Sequence, residues 1–337
     1  MSALETTTTA SATEATPWRP RRGIVQKVIL DHLIWWILLA TLLVGSTVQG
    51  FLSLNNFINI VWGATPITLM IVGMLFVMLT GGLDLSLESI YAIAPTLGLV
   101  LLAATTGVPP QVAILICLLA GACAGLLNGV ISVRLRVNPF LVTLAFLLFW
   151  RGLAIFLIPE AVYILPEGYT FLGGFRLFGF FPLAIIVCAL ICVIAWVVLN
   201  RTPFGKAVYA VGSNETASYV AGLNVSQVRI SVFVIAGFLA GLGGLLEVGR
   251  VGAVTSDMGN GWILMVFAGV ILGGASLSGG RGRLSGVVAA ALELEVINNV
   301  MNLMGIQPSI RQLVFALVLL GAIYIASFQE KRRTRYV

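Results

Sequence analysis

Long apolar runs dominate this chain and leave it little choice of fold. They fall near 33–50, 57–79, 86–105, 111–133, 139–158, 182–199, 230–249, 262–277, 284–304 and 309–327. A bilayer core takes about 20 helical residues to cross. Inside it every backbone N–H and C=O has to find its partner within the protein. The composition agrees, with 59% hydrophobic and 9% charged residues and a mean hydropathy of +1.05. The expectation is an all-α polytopic membrane protein with about ten transmembrane helices between residues 33 and 327. The third and eighth runs are the least regular, being short or interrupted by Gly, Pro and Ser.

Charge orients the chain. With the N-terminus inside, fifteen of the nineteen Lys and Arg residues fall on inside segments. Only Arg151, Arg176, Arg250 and Arg311 fall outside or in a span. This is a strong positive-inside bias, and adding or dropping one span would destroy it. Both termini are therefore expected in the cytoplasm, with a disordered tail over 1–32 and a short basic tail over 328–337. Arg19, Arg21, Arg22 and Lys27 precede a run of full membrane length with no small-residue cleavage site after it, which reads as a tail and not as a cleaved signal. The net charge of +6 is no nucleic-acid footprint, because the basic residues are few and lie between apolar runs.

Catalytic and metal chemistry find little support. Cys117, Cys123, Cys188 and Cys192 all sit in apolar runs and read as buried, inert thiols. His32 is the only histidine. There is no Ser-His-Asp set, no Cys-His pair and no metal-ligand cluster, so no enzymatic activity and no cofactor is expected. Leu277-Ser278-Gly279-Gly280-Arg281 looks like the signature of ABC ATPases. That signature needs a phosphate-binding loop beside it, and Gly205-Lys206 is followed by Ala207.

The longest polar stretch between the termini is Arg201–Arg229, cytoplasmic in this topology. Pro203 and Gly205 open it, and Gly212-Ser213-Asn214 makes a turn. Glu215–Val220 then suits a short helix with Ser213 or Asn214 as N-cap and Glu215 near its positive end. Gly222-Leu223-Asn224 stops it. A loop with this much internal order is either a solvated connector or a docking element.

Polar groups also enter the spans. Asp84 and Glu88 lie at a span end, as gate residues or as the N-cap region of the third helix. Asn128, Asn138, Thr143, Arg151, Asn298, Asn299 and Asn302 have to face protein or water, lining a path for a polar solute or joining helices by hydrogen bonds. Glu293 and Glu295 lie mid-span, with Arg311 as a candidate partner. Gly121-x-x-x-Gly125 and Gly237-x-x-x-Gly241 are close-packing spacings. Gly81-Gly82-Leu83-Asp84-Leu85-Ser86 is echoed by Gly273-Gly274-Ala275-Ser276-Leu277-Ser278, a pattern that two related halves would leave.

Four blocks, in order, resemble the permease subunits of bacterial ABC importers of the ribose/monosaccharide class. They are Gly81–Ser86; Asn138-Pro139-Phe140-Leu141-Val142-Thr143-Leu144 with Arg151-Gly152; the set Thr202, Gly205, Ala210, Gly212, Asn214 and Ala217; and Gly273–Gly282. Glu88 stands where sugar permeases often have Gly, and Ala275 where Thr is usual. The resemblance implies a multi-pass protein of the bacterial inner membrane that forms a sugar path with a second permease subunit, homo- or heterodimeric. It also implies a cytoplasmic ABC ATPase and an extracytoplasmic sugar-binding protein as partners. Thr202, Gly205, Ala210, Gly212, Asn214, Glu215 and Ala217 would form the ATPase-coupling loop. A permease for a nucleoside or other small polar solute, and an ion-coupled secondary transporter, are the alternatives.

Overall fold

The computed structural model describes residues 33–104 and 107–334. The tail expected over 1–32, with His32, lies outside the described residues, as do 335–337. Thirteen helices run through the described chain: α1 (Leu33–Gly45), α2 (Leu54–Leu79), α3 (Leu87–Ala104), α4 (Pro110–Arg134), α5 (Pro139–Leu157), α6 (Glu167–Gly174), α7 (Leu183–Arg201), α8 (Pro203–Ser213), α9 (Glu215–Val220), α10 (Val225–Val251), α11 (Trp262–Leu272), α12 (Leu284–Leu303) and α13 (Pro308–Thr334). Between α6 and α7 a small antiparallel hairpin pairs β1 (Arg176–Leu177) with β2 (Phe181–Pro182).

The protein is an all-α polytopic membrane protein. Six helices, α2, α4, α5, α7, α10 and α12, are long and apolar enough to cross a bilayer. Shorter apolar helices lie in α1, α3, α11 and the first part of α13. Each expected run thus holds one apolar helix, with shifted ends. The run 33–50 is helical only to Gly45, because the Ser46 and Thr47 hydroxyls turn back onto the carbonyls of Leu43 and Val44. The run 262–277 stops at Leu272, where Gly274 takes φ +86°. The last helix continues to Thr334, into the expected basic tail.

Two helices make the centre. In α2, 89% of the apolar stretch is buried inside the protein, and in α10 78%; in α5 and α7 the figures are 17% and 22%. The last two turn most of their surface away from the rest of the chain. α10 packs on α4, α2, α3 and α6. Pro66 inside α2 cannot donate to the Trp62 carbonyl, which accepts from the Thr65 hydroxyl at 2.7 Å.

The two glycine spacings face each other. A Cβ on Gly121 would stand 2.5 Å from the Gly237 carbonyl oxygen, and one on Gly125 would overlap the Phe233 carbonyl. Gly129 adds a third close approach, at Ile230. Backbone therefore meets backbone along three turns of the α4–α10 seam, the geometry that small residues permit. Of the cysteines, Cys117 and Cys188 are buried, whereas Cys123 is exposed and Cys192 half-buried, because one face of α4 and of α7 turns outward.

Two helices were not anticipated. α6 lies where no apolar run marks it. Its Tyr169 is fully buried and donates to the Pro95 carbonyl at 2.6 Å. The other is α8, between α7 and α9.

The seam yields a paired expectation. Gly125→Ala forces a methyl into the Phe233 carbonyl and should destabilise by about 1–3 kcal/mol, the usual cost of overpacking. Gly152→Ala, with nothing within 4 Å of its Cβ, should leave the melting temperature in detergent unchanged. Equal melting of both variants would remove the seam as a constraint.

Candidate functional site

The polar stretch 201–229 folds into two helices. Thr202 caps α8, its hydroxyl accepting from the Gly205 N–H at 3.2 Å, and Pro203 sits in the first turn. This is a standard start signal, and the missed α8 was legible in it. α9 is the short helix expected over Glu215–Val220. Asn214 is its N-cap, accepting from the Ala217 N–H at 2.9 Å, while Ser213 ends α8. Gly222 closes it at φ +83°. Glu215 forms a bidentate pair with Arg229, both bonds at 2.9 Å. Tyr209 on α8 donates to the Gly282 carbonyl at 2.9 Å, and burial raises its phenol above the usual range, so it stays a donor. Thr202, Gly205, Asn214, Glu215 and Ala217 thus serve the local fold of the loop; Ala210 accepts from the Asn214 N–H at 3.0 Å.

Gly212 does something different. A Cβ there would overlap the Leu79 carbonyl oxygen and lie 2.5 Å from the Gly280 nitrogen. The Gly280 N–H donates to that same Leu79 carbonyl at 2.8 Å. A Cβ on Gly279, at φ +82°, would stand 2.8 Å from the Gly81 nitrogen. The end of α8, the end of α2 and the loop after α11 therefore meet at one joint made of backbone. The two echoed motifs are both at this joint. Each helix ends on a left-handed glycine, Gly81 and Gly274, and each loop has a side-chain turn, Asp84 to the Ser86 N–H (2.9 Å) and Ser276 to the Ser278 N–H (3.3 Å). The spacing from glycine to turn differs by one residue, so the echo is one of turn chemistry with an offset register.

From Gly81 the chain does not leave the protein. Residues 80–86 run back into it, and α3 starts partway up. Its Ser89 hydroxyl donates to the Leu147 carbonyl of α5 at 2.7 Å. Leu147 is eight residues into α5, which is about 12 Å along a helix. α3 therefore starts level with the middle of α5. α11 also begins inside: the Ile263 N–H in its first turn donates to Glu88 Oε2 at 3.1 Å. Two helix starts thus converge, each carrying about half a positive charge, and the Glu88 side chain reaches from one to the other.

Non-helical backbone at this depth is tolerated only when protein satisfies it. Arg151 on α5 serves the segment before α11, donating to the carbonyls of Ser256 (2.6 Å) and Met258 (3.0 Å). It also reaches the Glu88 carbonyl at 3.2 Å and stands 4.0 Å from the Glu88 carboxylate. Asp84, fully buried, accepts from the Ser86 N–H and from its hydroxyl at 2.6 Å. Asn128 donates to Ser86 Oγ at 2.6 Å and lies 3.3 Å from Asp84 Oδ2. Asp84 is therefore not the helix cap. The first-turn bonds of α3 go back to the Ser86 carbonyl, and Asp84 holds Ser86 in place. Thr143 donates to its own helix at Pro139 (2.9 Å) and lies 3.3 Å from the Leu83 carbonyl.

The candidates fall into two groups. Asp84, Glu88, Asn128, Thr143 and Arg151 gather around the broken segments, with Ser86 of the Gly81–Ser86 block and with Ser256 and Met258, which the sequence reading left out. The run Thr255-Ser256-Asp257 followed by Gly259 and Gly261 was the available signal. Asn138 stands apart as the N-cap of α5, accepting from the Phe140 N–H at 2.9 Å. Asn298 and Asn299 belong to a second cluster: Asn299 and Asn56 bond reciprocally at 2.9 and 3.0 Å, and Asn298 links Glu295 (3.4 Å) to Arg311 (3.3 Å). Asn302 is exposed. Arg311 thus reaches Glu295 through Asn298, and Glu293 takes the Thr41 hydroxyl at 2.7 Å. Glu295 also lies near the Glu247–Arg250 ion pair, closed at 2.7 Å, but among the described residues no hydrogen bond or ion pair joins Glu293 or Glu295 to Arg151.

The family described as branched-chain amino acid transport system / permease component matches residues 56–323. The chain is similar to the ribose import permease protein RbsC of Escherichia coli (strain K12), at 33% identity over 90% of this chain and 96% of that protein. It is also similar to the protein of the same description from Bacillus subtilis (strain 168), at 34% over 82% and 86%. The L-arabinose ABC transporter permease protein AraH of Azospirillum brasilense is 32% identical over 94% and 93%. No solved structure matches.

Arg151 carries the sharpest expectation here. Arg151→Ala takes the donors from the carbonyls of Ser256, Met258 and Glu88 and the positive charge from beside the buried Glu88 carboxylate, and should destabilise by about 3–5 kcal/mol, as broken buried pairs do. Arg151→Lys should recover only part, since one ammonium cannot span all three acceptors. Thermal unfolding in detergent reads both; a wild-type melt for Arg151→Ala would mean that these bonds hold nothing.

Proposed function

We propose, from the premise that this chain belongs to the permease-component family of branched-chain amino acid transport systems, that it is the transmembrane permease subunit of an ABC importer carrying a ribose-like monosaccharide. The family is one of transport permeases and not of catalytic enzymes. The family is described for branched-chain amino acids, but the near full-length relatives are named for ribose and arabinose. Beside Asp84, Glu88 and Arg151, the broken segments carry the hydroxyls of Ser86 and Thr143 and the amide of Asn128, groups that suit a polyol. All ten apolar helices belong to the membrane part, with both termini in the cytoplasm of a bacterial cell and the protein in its inner membrane. A second permease subunit completes the path, and an extracytoplasmic sugar-binding protein delivers the solute.

ATP is hydrolysed by a separate ATPase that docks on α8 and α9. The observation that carries this is the pairing of an outward apolar tip with an inward backbone joint. Tyr219 and Val220 are 74% and 79% exposed, while Gly212 at the other end is locked to Leu79 and Gly280. ATP can bias an inward/outward equilibrium only through a contact that differs between the two states. A push on α9 reaches the joint, the joint carries residues 80–86, and these end at Asp84 and Glu88 among the broken helices. Thr202, Gly205, Ala210, Gly212, Asn214, Glu215 and Ala217 shape the docking element. Asp84, Glu88, Asn128, Asn138, Thr143, Arg151, Asn298, Asn299 and Asn302 are path or gate candidates.

Co-purification of the tagged chain from its native membrane, with an ATPase assay, tests the reading. Tyr219→Ala with Val220→Ala should lower recovery of the ATPase about tenfold or more and leave the melt of the chain unchanged, since a buried aromatic anchor at an interface is worth about 2 kcal/mol or more. Gly212→Pro or Asn214→Pro should retain the chain in the membrane but abolish uptake. Undiminished uptake and ATPase recovery in all of these would refute the docking site; transport by the chain alone on an ion gradient would refute the importer.

A further inference from the structure

A cleft of about 900 Å³ opens between α9 and the turn that joins α4 to α5. Its origin lies in the α4–α10 seam. Gly121, Gly125 and Gly129 hold the two backbones together at intervals of four residues. The next rung is Val133, whose side chain lines the cleft, and there the helices part.

Two features of the lining point to a ligand. Ser132 is 4% exposed, and its buried hydroxyl has no hydrogen-bond partner. One turn deeper on the same face, Asn128 Oδ1 is also without a partner, although its amide nitrogen is engaged. Leaving such groups unmet costs about 1–3 kcal/mol each. At the rim, Arg136 is exposed, takes φ +55° and makes no hydrogen bond or ion pair within the described chain. Arg229 across the cleft is already neutralised by Glu215. The lining therefore holds one positive charge in excess, beside the unmet Ser132 hydroxyl.

We infer that this cleft binds a small anionic polyol, a sugar phosphate in chemical class, with the phosphate on Arg136 and a hydroxyl on Ser132. The cleft touches Glu215, Thr216 and Tyr219 on α9 and Thr80, Gly81 and Gly82 at the joint. A ligand there wedges α9 against the segment 80–86 and restrains its movement, so that accumulated cytoplasmic sugar phosphate slows further import. That consequence, and the side the cleft faces, rest on the importer reading; the binding itself does not.

The probes are ribose 5-phosphate, ribose and inorganic phosphate, titrated calorimetrically into the full chain in a neutral detergent. Ribose 5-phosphate should bind at least about tenfold more tightly than either part, the difference one charge-assisted contact makes. Arg136→Gly, which suits the left-handed backbone, should weaken it by about tenfold, with Arg136→Gln as a second variant. Ser132→Ala should weaken it severalfold. Inorganic phosphate binding as tightly as ribose 5-phosphate would mean an adventitious ion only and would overturn the inference. Indifference to both Arg136 variants would overturn it too, as would complete displacement by phosphatidylglycerol, which assigns the cleft to a lipid headgroup. If binding holds while no ATPase partner or sugar uptake is found, the importer reading fails and the site stands.

Discussion

Backbone without a helix, deep in a membrane protein, is the condition that the rest of the molecule has to meet. Residues 80–86 and 252–261 both run non-helical between helices, and each unmet amide or carbonyl in hydrocarbon costs several kcal/mol. Arg151 supplies donors to three carbonyls at once. Asp84, Ser86 and Asn128 close a buried polar triangle around the other segment. The tight seam of α4 on α10, and the near-complete burial of α2, follow from the same need.

The convergence of α3 and α11 adds an electrostatic condition. Two helix N-termini repel, and a carboxylate between them relieves the repulsion without an ion from outside. Glu88 is placed to do this because it sits in the first turn of one helix and reaches the first turn of the other. Its own charge is in turn balanced by Arg151. An acid that reads as an anomaly in an apolar run is thus the element that lets two interrupted helices start side by side.

How much of this was legible follows the range of the interactions. Local signals carried: the places of the ten apolar helices, the Asn214 cap, the stop at Gly222 and the glycine spacings of α4 and α10. Thr202-Pro203 also carried a local signal for α8, which went unread. What did not show was depth. Asp84 and Glu88 look like residues at a surface because the sequence marks the end of α2 at Gly81 but not the direction taken afterwards. That direction depends on Leu147, Arg151 and Ile263, from 58 to 175 residues away in the chain. The family resemblance, resting on motif blocks between residues 81 and 282, agrees with a match that spans 56–323.

The joint at Gly212 has a mechanical corollary. Where side chains mediate a contact, the first part of any displacement is absorbed as a χ rotation, and the partner moves late or not at all. Carbonyl against amide has no rotamers to absorb it. A shift of a few tenths of an ångström at the end of α8 meets the Leu79 carbonyl and the Gly280 nitrogen without free play, like a gear train without backlash. The same property makes the joint brittle: a single added methyl cannot be accommodated by repacking, only by moving the gears apart.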